Sequence, residues 1–126
     1  VSAVLSEMEK TGVDYFIDMH GDEARPYLWF IAPSATVSPQ HQDVQQGYEA
    51  FIAEQFPEVQ PPPQSIIDGV MPEPGLSINY IAKTYDCPAW VIELPFKETP
   101  VGDTLLAEGC MRFGRACVDA FLHVMG

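Results

Sequence analysis

Positive charge is scarce in this chain. Six Lys and Arg stand against 18 Asp and Glu, a formal net charge of −12. That deficit excludes nucleic acid and anionic membrane as partners, because both are held through basic patches. The acidity itself reads as a solvated surface. Long apolar runs are missing too: none approaches the roughly 20 residues needed to span a bilayer. There is no glycine-rich phosphate loop, and no Ser sits at a strand-to-helix elbow, so P-loop and nucleophile-elbow chemistry are set aside. Cysteine is limited to Cys87, Cys110 and Cys117. The last two fall on one predicted helix about 10 Å apart, beyond disulfide reach. All three are read as reduced, which fits a cytoplasmic setting.

What is present is enough for one core: 126 residues, 47% hydrophobic. Val1, Val4, Leu5 and Met8 recur at helical spacing, with Gly12 as the stop. The pattern is already helical at Val1, so the chain is read as a piece of something longer. "VDYFIDM" (13–19) and "YLWFIA" (27–32) are strands, the second apolar throughout, as in a sheet covered on both faces. A helix is expected from Ser38 or Pro39, with Val44, Tyr48, Phe51, Ile52 and Phe56 on its inner side. Residues 57–75 hold six of the 12 prolines. A stretch of that length without periodicity reads equally as a lid or binding loop and as a plain crossover. A short helix follows, capped by Ser77, carrying Ile78, Ile81, Ala82 and Tyr85, and ended by Pro88. "AWVIEL" (89–94) is the third strand. Leu106, Cys110, Phe113, Cys117, Phe121 and Val124 write the core face of a last helix. Helices alternating with apolar strands give an α/β class with layers on both faces of the sheet.

Two polar residues break the strand pattern. His20 ends the first strand, and Glu93 lies between Ile92 and Leu94 in the third. In open α/β sheets ligands gather at the carboxyl ends of strands. If these strands are neighbours with those ends together, both side chains face one crevice. A carboxylate on an apolar strand acquires a raised pKa, which suits a general base. A neutral imidazole there suits zinc. A satisfied polar pair closing the strand ends is the plainer reading, and spacing alone favours it.

Other candidates are weaker. Asp22 and Glu23 are candidates to orient His20, or else are turn residues. Arg25 could hold a carboxylate in a bidentate grip, or pair with Asp22 or Glu23. Asp18 is expected to cap a neighbouring loop, and His41 to be solvated near a helix start. His123 stands in the last turn of the final helix, where a cation meets the helix dipole well.

"FIDMHGDE" followed by "GLSINYIAKTYDCPAWVIELPF" resembles the closing part of the zinc metallocarboxypeptidases, the carboxypeptidase A-like superfamily, in its cytosolic and bacterial branch. The resemblance runs over nearly the whole chain. It implies half of a three-layer α/β/α fold, a mixed sheet flanked by helices, with residues 1–126 as the C-terminal portion of one catalytic domain. It implies that His20 is a zinc ligand and that Glu93 is the catalytic base that activates water. The family's first two zinc ligands come from an HxxE pair far upstream, and its carboxylate-binding arginines also lie mostly upstream. Both are read as outside this chain, which is expected to lack the HxxE motif, so no substrate-binding residue is assigned.

The parent is then expected to be a zinc-dependent hydrolase that removes residues from peptide or protein C-termini. The isolated chain is expected to bind zinc poorly and to be inactive. Its partner is the N-terminal half of the domain; without it, an open sheet edge invites self-association. Two rivals stand beside this reading. One is a zinc deacylase of the aspartoacylase and succinylglutamate-desuccinylase group. The other is a non-catalytic α/β interaction module.

Overall fold

A computed structural model describes residues 2–33, 37–62, 76–96 and 107–126. The elements run α1 (Ser2–Thr11), β1 (Phe16–Asp22), β2 (Trp29–Ile31), α2 (Pro39–Gln55), α3 (Ser77–Tyr85), β3 (Ala89–Pro95) and α4 (Ala107–Met125). Most of the Pro-rich stretch, residues 63–75, and Leu106 lie outside the described residues.

The sheet is mixed, with the order β1-β3-β2. β3 runs parallel to β1, in a register that sets Phe16 beside Ala89 and His20 beside Glu93. It runs antiparallel to β2, with Trp29 beside Glu93 and Ile31 beside Val91. Side chains alternate across a strand, so this register sorts residues onto two faces. Trp90, Ile92 and Phe30 go to one face, where they pack with Tyr48 and Ile52 of α2, with the adjacent Phe56, and with Phe113, Ala116 and Ala120 of α4. Trp29, Ile31 and Ala89 go to the other, against Ile78 and Ala82 of α3. Two cores separated by a sheet are the three layers of an α/β/α fold. All four residues from Leu28 to Ile31 are buried, as a strand covered on both faces requires.

Aromatic rings hold the thicker core. Tyr48 lies on Trp90 with ring centroids 4.6 Å apart, and Phe56 meets Phe113 edge-on at 5.3 Å. Fully burying one such side chain contributes about 1.5–3 kcal/mol. Gln45, also buried, donates from Nε2 to the Ala89 carbonyl at 2.9 Å and ties α2 to the start of β3.

Several boundaries differ from the sequence-based expectation. β1 starts three residues later and runs on to Asp22, because the ladder with β3 continues to Pro95. His20 is therefore inside the strand rather than at its tip. Pro95 belongs to β3, at its last position, where a missing N–H costs least. α1 stops as expected: Gly12 has φ +76°, and its N–H reaches the Met8 carbonyl at 2.9 Å. α3 is stopped by Asp86 in the left-handed region (φ 46°), not by Pro88. Its N-cap is Leu76; Ser77 is the first helical residue and its hydroxyl goes elsewhere. In α4 the buried stripe is Phe113, Ala116, Cys117 and Ala120, and Cys110 is exposed. Cys87 and Cys117 are buried thiols. Among the described residues no helix is long and apolar enough to cross a membrane.

Candidate active site

The period of two that builds the cores also builds the site. Phe16 and Ala89 belong to the α3 side, so Asp18, His20 and Asp22 of β1 and Glu93 of β3 share that side. They lie toward the carboxyl ends of two parallel neighbours, the rim where open α/β sheets take ligands. His20 Nδ1 is 3.6 Å from Glu93 Oε1. The spatial condition set by the sequence holds: one rim, one face, side by side.

Glu93 is the more sheltered of the two, with a side chain 16% exposed against 52% for His20. Burial pushes the Glu93 carboxyl above its ordinary value. A charged His20 opposes that rise, as does Arg25, while Asp22 and Asp18 add to it. A carboxyl raised in this way is a better proton acceptor than a solvated glutamate.

The carboxylate beside His20 Nε2 is that of Asp18, not of Asp22 or Glu23. Asp18 Oδ1 lies 3.0 Å from His20 Nε2, and Ser77 Oγ donates to Asp18 Oδ2 at 2.7 Å. This replaces the expectation that Asp18 caps a loop. The signal was available: residues two apart on a strand point to the same side. Ser77 could not be foreseen, since it comes from another layer, 59 positions away. Each ring nitrogen faces a carboxylate oxygen, which only accepts, so either nitrogen donates there when it carries a proton, and a metal ion is the other species that would reconcile Nδ1 with Glu93 across 3.6 Å.

Asp22 is committed elsewhere. Its Oδ1 accepts from the Ala24 and Arg25 amides at 2.7 and 3.2 Å, and its Oδ2 from the Arg25 guanidinium and the Trp29 indole at 3.1 and 3.2 Å. Burial raises its pKa, and these four donors more than offset that, leaving it below the ordinary value. Arg25 also lies over the Trp29 ring, 5.5 Å from its centroid. Arg25 thus takes the structural partner expected of it. His41 is half-buried rather than solvated, with Nδ1 3.5 Å from Asp86 Oδ1. His123 sits in the last turn of α4, its ring 5.0 Å from that of Phe51.

Zinc binding through His20 would use Nδ1, the nitrogen that faces the sheltered glutamate, while Nε2 lies against the Asp18 carboxylate. One histidine is not a complete set, however. Glu23 stands three residues after His20, so the letters H-x-x-E do occur at 20–23. This corrects the expectation that the chain lacks the motif; the pair spans β1 and the bend after it, and Glu23 is exposed. Among the described residues no group of three or more His, Cys, Asp or Glu could hold a metal ion.

A three-layer α/β arrangement with a histidine and a sheltered glutamate paired on one sheet rim defines part of a carboxypeptidase-like fold. Comparison with solved structures gives that class particular members. A metallo-carboxypeptidase from Pseudomonas aeruginosa, solved with (2-guanidinoethylmercapto)succinic acid, matches 99% of this chain at 26% identity, with a TM-score of 0.81. A metallo-carboxypeptidase from Burkholderia cenocepacia matches 99% at 23% identity, with a TM-score of 0.76. This chain spans 35% of the first protein and 34% of the second. No protein-family model matches the sequence, and no curated protein matches it significantly.

Proposed function

We propose that this chain is the C-terminal portion of a zinc-dependent metallocarboxypeptidase that hydrolyses C-terminal peptide bonds. The observation that carries the reading is the 3.6 Å approach of His20 Nδ1 to Glu93 Oε1 on one sheet rim. Solved structures of the same fold that are metallo-carboxypeptidases support it. The Pseudomonas protein is solved with a guanidino-bearing succinic acid, which favours substrates that end in a free carboxylate.

His20 is the ligand this chain contributes, through Nδ1. When bound, zinc would polarise the scissile carbonyl and lower the pKa of water toward about 7. Glu93 supplies the proton traffic: its carboxylate takes a proton from the attacking water and hands it to the leaving amine nitrogen. The raised pKa of Glu93 suits the first half of that cycle, since a weaker acid is a stronger base. Asp18 keeps the His20 ring from turning away. The remaining ligands and the groups that grip the substrate carboxylate come from the N-terminal part of the domain, so the isolated chain is inactive. That part would pair with the outer edge of β1, which has no strand partner among the described residues. Left uncovered, that edge would promote self-association of the isolated chain. The buried Cys87 and Cys117 thiols support a cytoplasmic setting.

The test is Glu93→Gln in the full-length protein. Release of C-terminal residues from peptides should fall by about 10²–10⁴-fold, with zinc content unchanged by elemental analysis. A wild-type protein that holds no zinc and releases no C-terminal residue sinks the reading, as does a Gln variant with undiminished turnover.

A further inference from the structure

We propose that Ser77 and Asp18 form a positioning chain for His20, in which the first residue of α3 sets the rotation of the imidazole in the site. The consequence for metal binding rests on the function proposed above; the chain itself rests on geometry alone.

Both carboxylate oxygens of Asp18 are used, and by different partners. Oδ2 receives the Ser77 hydroxyl at 2.7 Å, and Oδ1 faces His20 Nε2 at 3.0 Å. A carboxylate held at one oxygen can still swing; held at both, its plane is fixed. The ring torsion of histidine is otherwise broad. Asp18 removes that freedom and accepts from Nε2 when that nitrogen carries the proton. The register partner of Asp18 on β3 is Val91, which offers its carboxylate no side-chain donor. The His20 and Asp18 side chains are 52% and 31% exposed. An ion pair that open to solvent contributes little to stability. Orientation is therefore the larger effect of the contact. Because Ser77 begins α3, the alignment of His20 becomes tied to the docking of that helix on the sheet.

The experiment uses the full-length protein with ¹⁵N-labelled histidine and three variants: Asp18→Ala, Asp18→Asn and Ser77→Ala. Two readouts are taken: the His20 Nε2–H signal near neutral pH, and zinc affinity by chelator competition. Asp18→Ala should lose the Nε2–H signal to solvent exchange and weaken zinc by about 10–100-fold. Asp18→Asn keeps an accepting oxygen, so it should retain the signal and most of the affinity. Ser77→Ala changes only an exposed first-turn hydroxyl and should broaden the signal with a smaller loss of affinity. An alanine at 18 or 77 that leaves both readouts at the wild-type level overturns the proposal and leaves the metallopeptidase reading standing. A protein that binds no zinc, yet loses the Nε2–H signal in Asp18→Ala, supports the positioning chain and sinks the metallopeptidase reading instead.

Discussion

Glu49 gives the most quantitative prediction. It sits half-buried on α2 beside Phe30, Ala50, Ala53 and Val59, lining an apolar cavity of about 420 Å³. Burial pushes its carboxyl from 4.5 up to about 7, opposed only by the nearby Trp90 indole N–H, which falls short of hydrogen-bond geometry. A folded-state pKa above the unfolded one means that the folded protein holds the proton more tightly. Stability from this group is therefore complete below pH 4.5 and is lost as pH rises through about 7. The gap (7 − 4.5, about 2.5 pH units) converts to roughly 3 kcal/mol. The side chain retains contact with water, so screening reduces this to about 1–2 kcal/mol. Glu49→Gln keeps the shape and removes the charge. In urea denaturation of the full-length protein, the Gln variant should be about 1–2 kcal/mol more stable than wild type near pH 8, with the difference closing toward pH 4.5. Other groups titrate equally in both proteins and cancel. A difference that is flat across that range, or a variant weaker than wild type at pH 8, would refute the argument.

Two further outcomes test the frame of the site. Asp22→Ala strips a buried carboxylate from four donors and leaves the Arg25 guanidinium without its partner, at a cost of about 3 kcal/mol by chemical denaturation. Because the Asp22 pKa is depressed, that contribution is present above pH 3.8 and is lost as pH falls through the folded value; a variant deficit that does not shrink in acid contradicts the assignment. Phe113→Ala removes a ring that is 1% exposed and packed edge-on to Phe56, and should cost about 3–5 kcal/mol, read as an earlier urea midpoint. A loss within experimental error would mean that α4 is not docked on the sheet as described.

Much of this was legible in the residues, and the exceptions have physical causes. Period-two and period-3.6 patterns are local, so the number, type and order of the elements could be read directly. The ends could not, because partners set them: β1 extends to Asp22 only because β3 is there to continue the ladder. Cys110 matches the apolar helical spacing yet is exposed, since Phe113 and Ala116 take the buried positions on α4. The site shows the same division. His20 and Glu93 stood out because polar groups on apolar strands need a reason. Asp18 is legible as a same-face neighbour two residues from His20, while Asp22, on the same face, is taken up by Arg25 and Trp29. Ser77 had no local signal at all; only the docking of α3 brings it to Asp18.

During synthesis β1 and β2 leave the ribosome well before the strand that belongs between them. From Ile31 to Ala89 the chain must grow by 58 residues (89 − 31), about 3–12 s at ordinary elongation rates. Through that interval the strand that belongs between β1 and β2 is missing, and a β1–β2 hairpin formed early would have to open again to admit β3. The paired histidine and glutamate therefore come together only after Ala89–Pro95 has been made. The delay is set by the length of the intervening chain rather than by the strands themselves.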